Sequence, residues 1–411
     1  MKKCICLGIA LMSLFATGCS SDAPENPVPE PTVKPEIRPE WKGRPLSEVA
    51  PRNVGKANGF AINLFKTLFE DNSSNLCISP ASVFMNLAML ANGDSGEGRD
   101  EITRMLGYGT GEEALEDLNI YCNALLTEVP RTQDATGFTI SNSLWHDPEV
   151  QINPSFSWIL SDAYSASVFP VSLRTESGMR ALNDFVGGKT AGLIPEFLKQ
   201  PLQCSVTLLN TVWFKGCWEK PFDERFTLPG TFTNLDGSPS EADFMSMEDV
   251  MDYAEVGNIR AVRLPYKGDR FTMTVMLPSA GSDFRTMLHS LTPETFTKIN
   301  EELSMQNIYL ALPRFEGELS IELLDALESM GLHHGTSTGY NSISDALYPL
   351  VFFKHAVKII VDEKGTEAAA ASAAGMENGV TPVMICNSPF MYVIRDNLSD
   401  TVLFMGAVTG F

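Results

Sequence analysis

Histidine, positive charge and long apolar runs are all scarce in this sequence. Only five of the 411 residues are histidine, and none lies in an HExxH or CxxC-like pattern, so we expect no bound metal. Lysine and arginine number 30 against 51 acidic residues, a formal net charge of −21. A surface this acidic repels phosphate backbones, so we expect no nucleic-acid partner. No motif predicts a cofactor.

The first 18 residues are typical of an export signal. Lys2 and Lys3 precede an apolar stretch at 4–16 that is too short to span a bilayer as a stable helix. The sequence Phe-Ala-Thr-Gly-Cys, which ends at Cys19, then resembles a bacterial lipobox. We therefore expect a signal peptide at 1–18 and a lipid on Cys19 that anchors a bacterial lipoprotein to the outer membrane, facing the periplasm or the cell surface. A plain secretory signal is the alternative.

Residues 19–45 are expected to form a tether. Seven prolines alternate there with acidic residues and almost no large apolar ones. Such a segment cannot bury enough surface to offset its ordering entropy, so it should run extended. From 46 to 411 no repeat or second linker appears, which predicts one large domain, and we expect a monomer.

The cysteines beyond the leader do not form a recognisable framework. They are odd in number and irregularly spaced, at Cys77, Cys122, Cys204, Cys217 and Cys386. Export would permit disulfides, but the pattern favours buried small hydrophobic residues. Whether any of them pair stays open.

Helical and strand patterns alternate along the domain. Apolar spacing predicts helices over 57–70, over 320–330 and from Ser79-Pro80 to about residue 91, where the hydroxyl caps and the proline opens the helix. Strand patterns occur at 205–214, 271–277, 307–312, 357–361, 383–386, 391–395 and 402–408. The fold class is therefore α+β with large sheets.

One sequence match to an enzyme motif is set aside. Gly93-Asp94-Ser95-Gly96 matches the peptide around the nucleophile of trypsin-like proteases. That chemistry requires a histidine base oriented by a buried aspartate, and no histidine has a fitting context. We expect no enzymatic activity.

The segment 362–379 is the most informative part of the chain. It lies between two predicted strands and alternates with period two. From 366 to 377 one parity is uncharged, whereas Glu367 and Glu377 fall on the other. The uncharged positions are Thr366, Ala368, Ala370, Ser372, Ala374 and Met376. Small side chains on one face would let this segment enter a sheet, so the pattern is typical of a mobile loop that can become a strand.

The chain resembles a serpin over roughly residues 57–411. The sequence from Asp362 to Ala371 matches the hinge of an inhibitory reactive-centre loop. Other family motifs follow in order: Asn75-Leu76-Cys77-Ile78-Ser79-Pro80-Ala81-Ser82, Asn210-Thr211-Val212-Trp213-Phe214-Lys215-Gly216-Cys217-Trp218, Pro221-Phe222, Leu264-Pro265-Tyr266, Leu312-Pro313-Arg314-Phe315, Ser388-Pro389-Phe390 and Phe404-Met405-Gly406. The resemblance implies three β-sheets, about nine helices and an exposed loop at about 363–384.

The resemblance also implies a suicide mechanism against a target protease. The protease attacks the loop and forms an acyl-enzyme, and the cut loop then inserts into the central sheet. Insertion drags the protease away and deforms its active site before deacylation. The implied partner is therefore a protease in a covalent complex. A non-inhibitory serpin that acts as a binding or carrier lipoprotein is the alternative.

Family roles transfer to three groups of residues. The hinge comprises Gly365, Thr366, Glu367, Ala368, Ala369, Ala370 and Ala371. The shutter, a polar cluster that governs opening of the sheet, comprises Ser79, Ser82, Asn210 and His355. The breach, where insertion begins, comprises Trp218 and a salt bridge between Glu363 and Arg314.

The scissile bond is not fixed by the sequence. Counting forward from Glu363 reaches Gly379 and the bond to Val380, whereas counting back from Pro389 points to Asn378. Met376 is a further candidate. None of these is basic, which disfavours trypsin-like targets and favours elastase-like, subtilisin-like or papain-like proteases.

Overall fold

The computed structural model describes residues 43–133, 136–348, 353–366 and 382–411. Within these ranges the chain forms ten α-helices and a short 3₁₀ helix at Glu224–Phe226. The α-helices are α1 Leu46–Asn72, α2 Pro80–Ala91, α3 Glu97–Met105, α4 Glu112–Glu128, α5 Pro154–Tyr164, α6 Glu176–Lys189, α7 Phe284–Ser290, α8 Pro293–Glu302, α9 Leu324–Ser329 and α10 His334–Ser337. None of them is long and apolar enough to cross a membrane.

Sixteen strands in the described ranges form three sheets. The strands are β1 Leu76–Ile78, β2 Arg131–Gln133, β3 Thr136–His146, β4 Ser167–Phe169, β5 Val206–Cys217, β6 Thr227–Thr233, β7 Pro239–Val256, β8 Ile259–Pro265, β9 Phe271–Pro278, β10 Ser304–Pro313, β11 Phe315–Glu322, β12 Lys354–Val361, β13 Gly365–Thr366, β14 Val383–Ile385, β15 Phe390–Asp396 and β16 Val402–Val408.

The nine-stranded sheet runs β1-β16-β15-β9-β8-β7-β10-β14, with β6 paired to β7. A two-stranded ladder joins β11 to β12, and a five-stranded sheet runs β13-β5-β3-β2 with β4 on β3. Three sheets with interspersed helices confirm the α+β class and match the three sheets that the resemblance implies. The helix count is ten in the described ranges, close to the expected nine.

The start of α2 is confirmed in detail. Ser79 has extended backbone, its hydroxyl accepts a hydrogen bond from the Ser82 amide, and Pro80 occupies the first helical position. Nearly every residue of α2 is buried, because the helix packs between β5 and β16. The shutter residues Ser79 and Ser82 are therefore fixed beneath the sheets.

The helix expected over 320–330 is partly wrong. Strand β11 continues to Glu322, and the helix there is confined to Leu324–Ser329. Residues 315–322 pair with β12 over their whole length, and the exposed and buried positions alternate. Long-range pairing overrides a local helical spacing here, because a ladder satisfies the backbone along the whole strand.

The two ladders that flank the expected insertion point are separate in the described part of the chain. No pairing there joins β5 directly to β12. The short strand β13 instead follows β12 and pairs antiparallel with β5, placing Gly365 opposite Cys217 and Thr366 opposite Gly216. We refer below to the Cys217 and Val361 ends of β5 and β12 as the upper end, and to their Val206 and Lys354 ends as the lower end.

Candidate functional site

A tight turn at the upper end reverses the chain from β12 into β13. The amides and carbonyls of Asp362 and Gly365 exchange hydrogen bonds of 3.0 and 3.2 Å. The Asp362 carboxylate accepts a further bond of 2.8 Å from the Lys364 amide. The turn points the chain back toward β5, so the first hinge residues already lie beside that strand.

Glycine is required at position 365. Its φ of +135° is a conformation that side chains of L-residues rarely adopt. A Cβ built there would stand 2.1 Å from the Gly216 carbonyl oxygen, which belongs to the backbone of β5 and cannot rotate away. The close approach of the two strands therefore depends on the missing side chain.

Trp218 fastens the turn to the end of β5. Its indole stacks on Tyr266 with ring centroids 4.5 Å apart, and it is almost completely buried. The indole Nε1 donates to the Asp362 carbonyl at 3.0 Å, and the Trp218 amide donates to the Lys364 carbonyl at 3.0 Å. One side chain therefore joins the core to the turn, at the place where the resemblance puts the breach.

Glu363 is the buried acid of the turn. The Arg314 guanidinium lies 2.5 Å from its carboxylate, and the Thr227 hydroxyl donates to the same oxygen at 2.5 Å. Burial would raise the pKa of this carboxyl, but the hydrogen bonds from Arg314 and Thr227 outweigh burial and hold the pKa below its ordinary value. The Phe222 amide also donates to the Glu363 carbonyl at 2.8 Å. Glu363 is therefore charged and anchored at neutral pH.

Three of the four expected shutter residues lie together. The Ser79 amide donates to His355 Nε2 at 3.1 Å, and the Ser79 hydroxyl donates to the Leu403 carbonyl at 2.8 Å. The Ser82 amide donates to the Ser79 hydroxyl at 3.3 Å. Burial lowers the pKa of His355 to about 4, so the imidazole is neutral at pH 7 and can accept this bond.

Asn210, the fourth shutter residue, has a different partner. Its Nδ2 donates to Asn142 Oδ1 at 2.6 Å, while Asn142 Nδ2 donates to the Tyr164 carbonyl at 2.8 Å. Asn210 Oδ1 is buried without a hydrogen-bond partner among the described residues. Asn142 and Tyr164 were not predicted, and neither was Thr227, because a polar residue within a strand carries no local signal of its distant partner.

A cavity of about 240 Å³ opens between the lower ends of β5 and β12. Its walls mix apolar and cationic side chains. They include Arg174, Phe197, Cys204, Leu208, Phe353 and Lys354. Room for further side chains therefore exists at the lower end.

The remaining residues singled out in the sequence either have a structural role or lie outside the described residues. The Asp94 carboxylate accepts from the Gly98 amide at 2.8 Å at the start of α3, so the protease-like motif serves as a helix cap. No disulfide joins the five cysteines in the described ranges, and four of them are buried. No cluster of metal-binding side chains occurs in those ranges. Cys19, Glu367 to Ala371, and Met376, Asn378, Gly379 and Val380 lie outside the described residues.

The comparisons with known proteins agree on one family. The family model described as serpin, serine protease inhibitor, matches residues 55–410. Serpin B6 of Macaca fascicularis is 30% identical over 370 residues, which cover 86% of this chain and 98% of that protein. The native state of tengpin, a thermophilic serpin, matches with a TM-score of 0.80 and 26% identity over 88% of this chain and 94% of that one.

A further solved structure is similar to this chain in fold but only distantly in sequence. Thyroxine-binding globulin in complex with thyroxine matches with a TM-score of 0.79 at 21% identity, over 88% of this chain and 99% of that one. The family model covers well over half of the chain, and the described fold agrees with it. The chain belongs to the serpin family, whose members include protease inhibitors that form complexes with their targets.

Proposed function

We propose that this protein is a suicide-type protease inhibitor and not an enzyme. The main support for this proposal is strand β13. Its residues Gly365 and Thr366 pair with the upper end of β5 directly after the turn from β12. The loop that follows therefore starts in the register of an additional strand. Its small, uncharged alternate positions fit the space between two ladders.

The register of β13 defines where each loop residue would go after cleavage. Thr366 faces Gly216, so each later loop residue would face one earlier residue of β5. Ala370 would then face Val212, and Met376 would face Val206 at the lower end. A cut at or beyond Met376 frees a strand long enough to reach the cavity. All three candidate bonds, after Met376, Asn378 and Gly379, meet that condition.

Strand addition supplies enough free energy for the mechanism. At about 1 kcal/mol net per hydrogen bond, a strand of about a dozen residues releases on the order of 10 kcal/mol. A protease domain is stable by only about 5–15 kcal/mol. Insertion that drags an acyl-bound protease along can therefore distort its active site before water completes the reaction.

The target class follows from the loop composition. No candidate at the bond is basic, so the acidic pocket of a trypsin-like protease would find no partner. We propose elastase-like, subtilisin-like or papain-like proteases as targets. These accept small or apolar side chains near the scissile bond.

A non-inhibitory binding role is the competing proposal. The fold shared with thyroxine-binding globulin favours it, since that protein is seen bound to thyroxine. Against it stands the hinge, where bulky or charged residues at the inserting parity would block entry to the sheet. In this chain those positions carry Thr, Ala, Ala, Ser, Ala and Met from 366 to 376.

Incubation of the protein with a panel of these proteases tests the inhibitory proposal. We expect an SDS-resistant covalent complex with at least one of them, at a ratio near one to one. Mass spectrometry of the released C-terminal peptide then identifies the scissile bond from its first residue. Cleavage of the loop by every protease without any stable complex would favour the non-inhibitory role.

We further propose that a lipid on Cys19 anchors the protein at a membrane through the tether at 19–45. Cys19→Ala should leave unprocessed or mislocalised protein, which fractionation and mass spectrometry of the N-terminus would detect. Lipid-modified mature protein in the membrane fraction of this variant would contradict the lipobox interpretation.

A further inference from the structure

Four large apolar side chains lie exposed close to the end of the loop. Met305 is 81% exposed, Val250 and Val383 are each 52% exposed, and Ile385 is 41% exposed. Isolated exposed apolar residues are common on soluble proteins, but a contiguous group marks an interaction surface. The four residues can form an interaction surface only if they lie on the same face of the sheet.

The pairing of β7, β10 and β14 places the four residues on one face. Residues directly paired in neighbouring strands share a face, and positions two apart along a strand do so as well. The pairs are Val383 with Tyr309, Ile385 with Ala311, Val250 with Asn307 and Met305 with Asp252. Since 305, 307, 309 and 311 alternate along β10, all four exposed residues fall on the same side. We call this surface the β7–β10–β14 face.

The face lies next to the place where a target protease must bind. Gly379 is four residues before Val383, and Met376 is seven residues before it. An extended chain spans at most about 3.5 Å per residue, so the bond lies within about 14 to 25 Å of Val383. A protease domain of about 220 residues has a radius of gyration of about 17 Å. A protease of this size seated on the bond is therefore large enough to contact this face.

Acidic groups accompany the apolar residues. Glu248 lies on the same face and accepts a hydrogen bond from Asn307 at 2.9 Å. Asp252 lies beside Met305 with its side chain 34% exposed, 3.5 Å from Arg263. The whole chain has a formal charge of −21. A complementary partner would carry an apolar centre bordered by basic residues.

We propose that the β7–β10–β14 face is a second docking site for the target protease, which holds the body of the enzyme while the loop occupies its cleft. This inference rests on the proposed function. It makes target choice depend on a surface patch as well as on the bait residues. It also predicts that the preferred protease has basic residues beside its cleft.

The test uses proteases whose catalytic nucleophile is replaced by alanine, so that binding is measured without any need for trapping. Binding of each elastase-like, subtilisin-like and papain-like protease to the full chain is measured by titration. The double variant Val250→Ser/Met305→Ser should weaken the tightest complex at least tenfold. Glu248→Lys should weaken it several-fold and reduce its salt dependence. Leu398→Gln, at a residue 47% exposed outside this face, is the matched control and should bind as wild type.

The outcomes separate this inference from the proposed function. Equal affinity of the double variant and wild type, or no measurable binding by wild type, would overturn the docking site. A double variant that only dissociates a dimer of this chain would assign the face to self-association and also overturn it. If wild type binds through the face but the active protease forms no covalent complex, the docking site stands and the suicide mechanism fails. Unchanged melting temperatures would show that all the variants are folded.

Discussion

The upper and lower ends of β5 and β12 differ in how completely their groups are paired. At the upper end Trp218, Glu363 and Arg314 all have close partners, and Gly365 allows direct backbone contact with β5. Toward the lower end the structure has a cavity of about 240 Å³, and a buried amide oxygen of Asn210 is unpartnered among the described residues.

The contrast indicates that a new strand would begin at the upper end, where its first residues are already paired, and would fill space at the lower end. A buried amide oxygen without a hydrogen bond costs about 1–3 kcal/mol, and unfilled space forfeits packing. An added strand would fill the unoccupied space at the lower end. Its first residues are already held at the upper end. The following predictions test this contrast, starting with the largest effect.

Cutting the loop should stabilise the protein strongly. A clean cut between Met376 and Val380 would free the loop to join the sheet as a new strand. The hydrogen bonds of that strand favour insertion by on the order of 10 kcal/mol. We expect the melting temperature measured by calorimetry to rise sharply after the cut. An unchanged melting temperature would mean that the lower end does not accept a strand.

A charge at the first inserting position should block trapping. Thr366 pairs with Gly216 of β5. A Cβ built on Gly216 would lie 2.5 Å from the Tyr266 ring, so this residue pair adjoins the packed core. Thr366→Arg would force an unpartnered charge toward that interior at a cost of several kcal/mol. Insertion should slow, the acyl-enzyme should hydrolyse, and the inhibitor should become a substrate.

Glu367→Arg is the matched control for that variant. It places the same side chain one residue later, on the opposite parity, where water can solvate the charge. The number of inhibitor molecules consumed per trapped protease should rise steeply for Thr366→Arg and little for Glu367→Arg. Equal loss of inhibition in both variants, or in neither, would exclude the period-two model of insertion.

Removal of the arginine at the upper end should have a smaller effect. Arg314→Met leaves the carboxylate of Glu363 buried with only Thr227 and backbone groups nearby. Because the Arg314 side chain is itself 44% exposed, we expect a loss of about 2 kcal/mol. Lys298→Met removes an exposed pair with Glu302 and should cost less than about 0.5 kcal/mol. Denaturant unfolding of the uncut protein would compare them, and equal midpoints would show that the buried pair adds nothing.

Local sequence signals were sufficient for parts of this architecture. Ser79-Pro80 predicted the start of α2 because a capping hydroxyl and a proline act through their own backbone neighbourhood. The strands at 271–277 and 402–408 were recognisable because they are rich in β-branched and large apolar residues, and both are buried. The family resemblance then supplied the expectation of three sheets, which the structure has in its described ranges.

Features that depend on residues far apart in the sequence could not be predicted from the local pattern. The spacing over 320–330 suggested one helix, but pairing with β12 draws its first residues into β11. The bond between Asn210 and Asn142 joins residues far apart in sequence. The exposed face around Val250 was also not predicted, because alternation shows that a strand has two faces without showing which one meets solvent.

A pH-dependent effect is predicted for the neutral histidine of the shutter. The folded-state pKa of His355 is about 4, below its ordinary value of 6.5. Between these values the unfolded chain binds a proton that the folded protein does not, so stability is complete above pH 6.5 and falls as the pH drops toward 4. The difference corresponds to about 3 kcal/mol. Protonation would also abolish the acceptor that Ser79 uses, because Nε2 would then carry hydrogen.

The pH dependence of unfolding for wild type and His355→Gln measures this contribution. Carboxylates titrate in both proteins, so their effect cancels in the difference between the two curves. We expect wild type to lose about 3 kcal/mol more than His355→Gln between pH 6.5 and 4. His333→Gln, at an exposed histidine, should follow the wild-type curve. Parallel curves for wild type and His355→Gln would show that the buried imidazole does not couple the shutter to pH, because only a depressed pKa in the folded state produces the extra slope.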